Sequence, residues 1–419
     1  MDRLTNTVRP YAWGSTSAIP EFLGTPPTGE PQAELWMGAH PGAPSTVARG
    51  ADGGERPLTD VIAADPEGEL GPETVRAFGP RLPFLLKLLA AASPLSLQVH
   101  PDLGQAREGF ADEEARGVPS NAPERNYKDA NHKPELICAL TEFDGLCGFR
   151  RARDAADLLA GLEVDALKPY VDILRASPES EALREVLTAV LTADREEIAG
   201  TVAEAARAAA RLSGGRAGSA GDAGADTASG SDARASAYAV CASLAEHYPG
   251  DPGVIAAMLL NHVRLHPGEA LYLGAGVPHA YLNGLGVEIM ANSDNVLRCG
   301  LTPKHVDVPE LLRIVRFEPG EPAVLRPEPG PGGEERYDVP IDEFRLSRHV
   351  IGPGSAAGPL GARTPQILLC TAGHVVLRSV ADGGESELTL ERGQSAYARA
   401  GERVDVTGEG TLFRATVAV

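Results

Sequence analysis

The stretch NHKPELICAL (131–140) places an amide, an imidazole, an amine and a carboxylate within five residues, directly before an apolar run. These groups belong to Asn131, His132, Lys133 and Glu135. Pro134 disfavours helix at the residue before it, so the pattern predicts a rigid polar turn that leads into a buried strand. Two interpretations fit this stretch. It is either a polar loop entering a sheet or part of a metal and substrate site.

A second segment, SPLSLQVHPD, carries Gln98 and His100 two residues apart. On an extended strand, residues i and i+2 project from the same face, so both side chains can reach one point. A third segment, VPHAYLNGLGVEIMANSDNVLRCGLTPKH, is rich in polar and charged groups and contains His279, Tyr281, Glu288, Asp294, Arg298 and Lys304.

Together, Gln98, His100, Glu135 and His279 offer two imidazoles, one carboxylate and one amide oxygen. Two histidines and a carboxylate suit zinc, with room left for water or substrate. The same set suits non-haem Fe(II). A single histidine in a strand is more often packed than metal-bound, so the metal hypothesis depends on the four residues jointly.

The cationic residues have two interpretations as well. Arg298 and Lys304 either balance the charge of an acidic chain at its surface or belong to an anion pocket. They flank CGLTP, whose Gly and Pro indicate a turn with a defined path. Glu288 and Asp294 are pocket residues or simply turn-forming polar residues.

The elements that must position these groups change in character along the chain. Residues 1–150 are rich in Gly and Pro with short apolar runs, which is typical of an all-β sandwich or barrel. From 151 to 261, apolar residues recur at helical spacing and predict a helical domain. It is interrupted at 213–236 by a Gly/Ala/Ser/Asp tract, which predicts a flexible loop. From 262 onwards the pattern again favours strands.

A weak internal repeat relates two of the β regions. GEALYLGAG (268–276) aligns with GQSAYARAG (393–401), with Gly, Tyr, Ala and Gly matching at the same offsets. The repeat predicts two related β-barrel units with a helical block between them. Its continuation places Val404 opposite His279, so the second unit is expected to lack a metal ligand there.

Composition excludes several classes of function. At 419 residues, two or three domains are expected. A net charge of −20 argues against a nucleic-acid partner, which needs a basic face. No apolar run is long enough for a bilayer, and the first residues lack the order of a secretory signal. Five scattered cysteines without CxxC spacing indicate reduced thiols, so a cytoplasmic location without membrane association is expected.

Two of these segments carry a family resemblance. YKDANHKPE (127–135) and HAYLNGLGVEIMANSDNVLRCGLTPK (279–304) resemble the signature segments of type I mannose-6-phosphate isomerases. LSLQVHPD, YAWGS and AELWMGAHP resemble the same family in the same order, so the likeness runs from residue 11 to about 310. One departure is Cys299, which stands where Ala is usual. Since both residues are small, little effect is expected.

The resemblance implies a fold that is mainly β with a helical insertion. A cupin-type (jelly-roll) catalytic barrel would comprise 1–150 and 262–320, the helical domain 151–261, and a second, metal-free cupin-like barrel 321–419. It also implies one zinc ion per chain, held by Gln98, His100, Glu135 and His279. The implied reaction interconverts mannose 6-phosphate and fructose 6-phosphate through a cis-enediol, in a chain expected to be monomeric.

The resemblance also suggests roles for the remaining residues. Arg298 matches the family's catalytic arginine, and Lys133 is the candidate for proton transfer, since burial beside a cation favours a neutral amine. His132 is the alternative for that step or for ring opening. Ser96 and Lys304 are expected phosphate contacts, while Tyr281, Glu288 and Asp294 match pocket positions without an assigned role. An Fe(II) oxygenase and a non-catalytic sugar-phosphate sensor remain competing hypotheses.

Overall fold

The computed structural model describes residues 1–49, 53–214, 230–354, 356–361, 363–381 and 384–419. Helix and strand contribute about equally, and the sheets are antiparallel. The strands are β1 (Asp2–Arg3), β2 (Thr7–Arg9), β3 (Glu34–Gly38), β4 (Thr46–Val47), β5 (Arg56–Pro57), β6 (Phe84–Ala91), β7 (Leu97–Val99), β8 (Glu135–Ala139), β9 (Phe143–Phe149), β10 (Leu260–Leu265), β11 (Ala270–Leu273), β12 (His279–Ala291), β13 (Leu297–Gly300), β14 (Val324–Leu325), β15 (Glu334–Tyr337), β16 (Arg345–Ile351), β17 (Ala356–Leu360), β18 (Gln366–Ala381), β19 (Gly384–Glu391), β20 (Ser395–Ala398) and β21 (Arg403–Thr416).

The helices are α1 (Ala18–Leu23), α2 (Leu58–Ala64), α3 (Pro66–Leu70), α4 (Pro72–Phe78), α5 (Leu103–Ala115), α6 (Ala152–Ala160), α7 (Lys168–Ala176), α8 (Glu179–Thr192), α9 (Arg195–Leu212), α10 (Gly230–His247), α11 (Gly253–Met258) and α12 (Val308–Ile314), with 3-10 turns at Asp165–Leu167 and Pro331–Gly333. Of the helices in the described part of the chain, none combines the length and hydropathy that crossing a bilayer requires.

The fold is mixed rather than mainly β, which corrects the sequence-based prediction. Helices α1 to α5 all lie within 1–150, where only strands were expected. Their start signals are local and explain the difference. The Asp102 side chain accepts from the Gln105 N–H while Gln105 returns a bond to the Asp102 N–H, forming a capping box that begins α5. Helices α3 and α4 begin with proline at the first helical position.

Helices α6 to α11 form the predicted helical block, whose buried Leu, Val and Ala residues build one apolar core with α12 and β7. The prediction of a flexible loop at 213–236 is partly wrong. Residues 215–229 lie outside the described residues, but α10 already begins at Gly230. Tertiary contacts favour helix there, because Ala237 is buried and the Ser236 hydroxyl lies 3.1 Å from His262 Nδ1.

The first sheet has eleven strands and is organised by β12. The first part of β12 pairs with β7 and β9, and its second part pairs with β6 and β8. Gly284 lies where the pairing changes, with φ of 126°. A Cβ there would lie 2.7 Å from the Glu142 carbonyl oxygen, so only glycine fits without strain. This bent strand joins two parts of the sheet around one interior.

The second sheet has eight strands, and β18 and β21 pair along most of their lengths. Strand β1 pairs with β20, so the first residues of the chain belong to this sheet. A single apolar core joins the two sheets and includes Phe84 and Leu88 from the first and Ile367 and Phe413 from the second. The sheets therefore pack as one body.

The internal repeat has matching backbone geometry. Gly268 and Gly393 have φ of 90° and 86°, and Gly276 and Gly401 both have φ of 77°. Between each glycine pair lies a short strand, β11 or β20, and each is followed by a long strand, β12 or β21. The two copies share one strand–turn–strand conformation, which supports a common origin of the two units.

Candidate metal and substrate site

Three buried side chains from different strands converge in the first sheet. His100 follows β7, Glu135 begins β8 and His279 begins β12. His100 Nε2 lies 3.5 Å from Glu135 Oε1, and His279 Nε2 lies 3.4 Å from Glu135 Oε2. Their ligand atoms all lie within 4.8 Å of one another. No other group of three or more His, Cys, Asp or Glu residues with this spacing occurs in the described ranges.

Backbone carbonyls fix the orientation of both imidazoles. His100 Nδ1 lies 2.7 Å from the backbone carbonyl oxygen of Asn295, and His279 Nδ1 lies 2.9 Å from the backbone carbonyl oxygen of Val277. A carbonyl can only accept, so each Nδ1 carries the hydrogen and each Nε2 presents a lone pair. Burial lowers the pKa of His100 to about 4, which keeps this ring neutral at physiological pH.

The converging acceptors have no donor between them. His100 Nε2, His279 Nε2 and Glu135 Oε2 are all buried, and none has a hydrogen-bond partner in the described part of the chain. Buried polar atoms are normally paired, and three unpaired acceptors facing one point indicate a cation site. Two imidazoles and a carboxylate fit Zn²⁺ and also fit Fe²⁺.

The Glu135 carboxylate is held in its charged form. Burial alone would raise its pKa, but the positive charge of the neighbouring Lys133 outweighs burial and holds the pKa well below its usual range. Lys133 Nζ lies 3.0 Å from Glu135 Oε1. Lys133 is therefore adjacent to the point where the acceptors meet.

Strand register brings Gln98 and Arg298 beside this group. Gln98 lies directly opposite His279 on β12 and opposite Arg298 on β13. Cross-strand partners project from the same face, so the three side chains form a row across neighbouring strands. Gln98 is half-buried and can supply an amide oxygen to the same point.

The arginine in this row carries its charge without a partner. Arg298 is half-buried, and within the described ranges it makes no hydrogen bond or ion pair; burial lowers its pKa. The pKa of Lys304 is lowered by burial and then by the charges of Arg298 and Lys128. Both charges therefore act on Lys304, and Lys128 was not among the predicted site residues. The available signal was that it is one of only five lysines and lies inside the first signature segment.

A buried charge network lies behind the site. Lys87 Nζ lies 2.9 Å from Glu288 Oε2 and 3.5 Å from Glu34 Oε1, and the Trp36 indole donates to Glu34 Oε2 at 2.7 Å. The hydroxyl of Tyr281 is buried and has no partner among the described residues. Lys87 was missed by the sequence analysis, although a lysine inside the apolar run LPFLLKLL is itself a signal.

The other predicted residues lie in the segments that lead into β8, β13 and β7. His132 Nε2 lies 2.5 Å from Glu343 Oε1, a carboxylate in the segment before β16. Asp294 is exposed and lies 3.6 Å from His40 Nε2. Ser96 is half-buried in the segment that leads into β7.

Asn295 connects the two signature segments. Its amide oxygen accepts from the Lys128 N–H at 2.6 Å and from the Asp129 N–H at 3.2 Å, and its amide nitrogen donates to the Asn131 carbonyl at 2.8 Å. This buried side chain ties the turn before β8 to the turn before β13.

Comparison with known proteins agrees with the geometry. Residues 1–152 match the family description "Phosphomannose isomerase type I, catalytic domain". The chain is 40% identical to mannose-6-phosphate isomerase of Salmonella typhimurium over 99% of both chains, and equally similar to that of Escherichia coli over 99% of both. A crystal structure of a variant of the Salmonella typhimurium phosphomannose isomerase superimposes with a TM-score of 0.87 at 37% identity, covering both chains fully. A crystal structure of mannose 6-phosphate isomerase bound with zinc and yttrium gives 0.85 at 37% identity, also over the full length of both chains. Identity at this level over essentially the whole length shows that the chain belongs to the type I mannose-6-phosphate isomerase family.

Proposed function

We propose that this protein is a zinc-dependent aldose–ketose isomerase that interconverts D-mannose 6-phosphate and D-fructose 6-phosphate. The observation that carries the proposal is the convergence of three unpaired buried acceptors, from His100, Glu135 and His279, beside an unpaired arginine on a neighbouring strand. The relatives that the chain matches over its whole length are named for this reaction.

The metal would be held by His100, Glu135 and His279, with Gln98 as the fourth ligand. Zinc, when bound there, supplies a Lewis acid that polarises the substrate oxygens on which negative charge develops. The residues are prepared for this role, because the histidine tautomers are fixed by carbonyls and the carboxylate is charged.

The reaction moves a proton between C2 and C1 of the open-chain sugar through a cis-enediol. We assign proton transfer to Lys133, whose amine lies next to the metal-facing carboxylate of Glu135. His132 is the alternative for this step or for ring opening, and its contact with Glu343 fixes the ring. Arg298 provides a permanent positive charge next to the developing enediolate.

The phosphate group is assigned to the cationic side of the pocket. The charges of Arg298 and Lys128 both act on Lys304, and Ser96 precedes the strand that carries Gln98. A phosphate dianion is well matched by several donors of this kind. Tyr281 and Glu288 would line the sugar pocket from the interior, and Asp294 from its exposed edge.

We further propose that both sheets are cupin-type barrels, with a catalytic unit at 1–150 and 262–320, a helical domain at 151–261 and a C-terminal unit at 321–419. Two short strands are exchanged between the units, because β1 pairs with β20 and β14 pairs with β11. Strand register supports a second unit without metal. Leu273 lies opposite Glu135, whereas the equivalent Ala398 lies opposite Gln366. His279 lies opposite Gln98, whereas Val404 lies opposite Leu360. Ligands are thus replaced by neutral or apolar side chains in the second unit.

A monomer in the cytoplasm completes the proposal. The five cysteines, at 138, 147, 241, 299 and 370, are all free and buried, which supports a reducing compartment. Gel filtration with light scattering would test the oligomeric state.

The deciding experiment is a turnover assay with mannose 6-phosphate, run with zinc, after chelation, and without oxygen. The proposal expects fructose 6-phosphate to form, to stop after chelation and to resume when zinc is restored. An Fe(II) oxygenase would instead require oxygen for any product. A sugar-phosphate sensor would bind mannose 6-phosphate but convert none at any metal loading, and that result would refute the isomerase.

A further inference from the structure

The helical block contacts the phosphate side of the pocket through one corner. This helical corner comprises residues 248–253, which are the connection between α10 and α11 and the first residue of α11. It touches the turn that follows β13, and it touches the segment before β7. The first of these leads from Arg298 to Lys304, and the second carries Ser96.

Asp251 is the central residue of this contact. Its Oδ1 accepts from the Leu301 N–H at 2.9 Å, and its Oδ2 accepts from the Thr302 N–H at 3.0 Å. Oδ1 also accepts from the Gly253 N–H at 2.7 Å, which fixes the carboxylate within its own corner. Both carboxylate oxygens therefore accept hydrogen bonds from backbone N–H groups. Through them, one side chain of the helical block binds two consecutive residues of the turn, Leu301 and Thr302.

The turn needs such support because its backbone is strained. Leu301 has φ of 54° and its side chain is fully buried, a left-handed conformation that non-glycine residues rarely adopt. Gly300 has φ of 122°, and a Cβ on it would lie 2.5 Å from Gly253 Cα. Backbone packs directly on backbone here, so the corner and the turn are fixed relative to each other.

Tyr248 extends the same corner to the second phosphate segment. Its hydroxyl donates to the Pro94 carbonyl at 2.7 Å, two residues before Ser96. Strand pairing then connects the two segments, because Leu97 lies opposite Gly300. One corner thus holds both chain segments that carry the assigned phosphate contacts.

We propose that the helical corner is the positioning element of the phosphate pocket, with Asp251 fixing the turn between Arg298 and Lys304. The inference rests on the proposed function for the identity of the bound group. Asp251 acts through the backbone: in the described part of the chain, no ion pair joins its carboxylate to Arg298 or Lys304. The carboxylate therefore organises the two cations without neutralising them, and they remain available to a phosphate.

The test compares Asp251→Ala, Asp251→Asn and Tyr248→Phe with the zinc-loaded wild type. Asp251→Ala removes two charged hydrogen bonds to the turn and one within the corner. Because the loss reaches the phosphate only through the backbone, we expect KM for mannose 6-phosphate to rise roughly tenfold while kcat changes less than about threefold. Asp251→Asn keeps one acceptor oxygen, so its KM should lie between the KM values of the wild type and Asp251→Ala. The dissociation constant of inorganic phosphate, measured by titration calorimetry, should rise by the same factor as KM.

The matched control is Asp194→Ala. Asp194 also accepts two backbone N–H groups, from Glu196 at 2.9 Å and Glu197 at 3.2 Å, but it caps α9. The substitution Asp194→Ala should lower thermal stability and leave the KM for mannose 6-phosphate unchanged. Should Asp251→Ala fail to fold, Asp251→Asn and Tyr248→Phe decide the question.

Two results would overturn the inference. One is a KM and phosphate affinity within twofold of wild type in the Asp251 and Tyr248 variants. The other is an equal rise in KM in Asp194→Ala. If the wild type itself does not isomerise mannose 6-phosphate, the proposed function fails, while the phosphate titration still tests the corner on its own.

Discussion

Lys87 is the buried cation between two carboxylates, and replacing it by methionine should strongly destabilise the fold. Methionine keeps the unbranched apolar stem of the side chain but removes the terminal ammonium group and its charge. Glu288 then loses its partner at 2.9 Å, whereas Glu34 keeps the Trp36 indole at 2.7 Å. Removing one partner of a buried ion pair lowers the free energy of unfolding by about 3–5 kcal/mol. Because Glu34 keeps a hydrogen-bond donor, we expect a loss at the lower end of this range, about 3 kcal/mol.

The double variant Lys87→Met, Glu288→Leu separates lost charge from lost packing. Removing both charges should restore most of the free energy of unfolding, because no uncompensated carboxylate then remains at Glu288. Urea unfolding followed by tryptophan fluorescence measures both variants, after chelation so that metal affinity does not contribute. Lys168→Met removes an exposed cation paired with Asp165 at 2.7 Å and should leave the unfolding midpoint unchanged.

The free energy of unfolding that Lys87→Met loses relative to wild type should also depend on pH. Burial already raises the pKa of Glu288, and removing Lys87 raises it further. Between the unfolded and folded pKa values the folded variant binds more protons, so its free energy of unfolding falls as pH rises. The loss relative to wild type should be smaller at pH 5 than at pH 8. A deficit below about 1 kcal/mol, or a double variant no more stable than the single one, would refute the reasoning about the buried pair.

Other predictions concern the metal, the proposed catalytic role of Arg298 and the bend in β12. His279→Ala should lose bound zinc and isomerase activity together, with zinc measured by atomic emission. The control His349→Ala removes a buried histidine of the second sheet and should keep its zinc. Full activity with stoichiometric zinc in His279→Ala would contradict the ligand assignment. Arg298→Ala should retain zinc but lower turnover by roughly 10²-fold, the scale for one preorganised stabilising group; near-native turnover would remove its catalytic role. Gly284→Ala should destabilise by about 2 kcal/mol or more because its Cβ would meet a backbone oxygen at 2.7 Å. The control Gly200→Ala, on the exposed side of α9, should stabilise by up to about 1 kcal/mol; equal effects of the two glycine substitutions would contradict the close approach at the bend.

The sequence by itself determined the family and the chemical groups of the site. Gln98 and His100 are two residues apart, and Glu135 follows Pro134 at the start of an apolar run, so residue type and local spacing predicted strand-borne ligands. The helical periodicity after 151 and the repeated Gly-bounded strand were local signals too, and the structure has both the helical block and matching strands. Patterns of this kind are readable because they depend on neighbours in the chain.

Tertiary structure decided what depends on contacts between distant residues. The tautomers of His100 and His279 follow from carbonyls, and the carbonyl that fixes His100 lies 195 residues away, at Asn295. The packing that favours helix at the end of the 213–236 tract likewise joins distant segments, because the Ser236 hydroxyl lies 3.1 Å from His262 Nδ1. Lys87 and Asp251 acquire their roles only when Glu288 and Leu301 are brought to them across the fold. Burial and pairing arise from the whole structure, and for that reason residue type could name the ligands but not their environment.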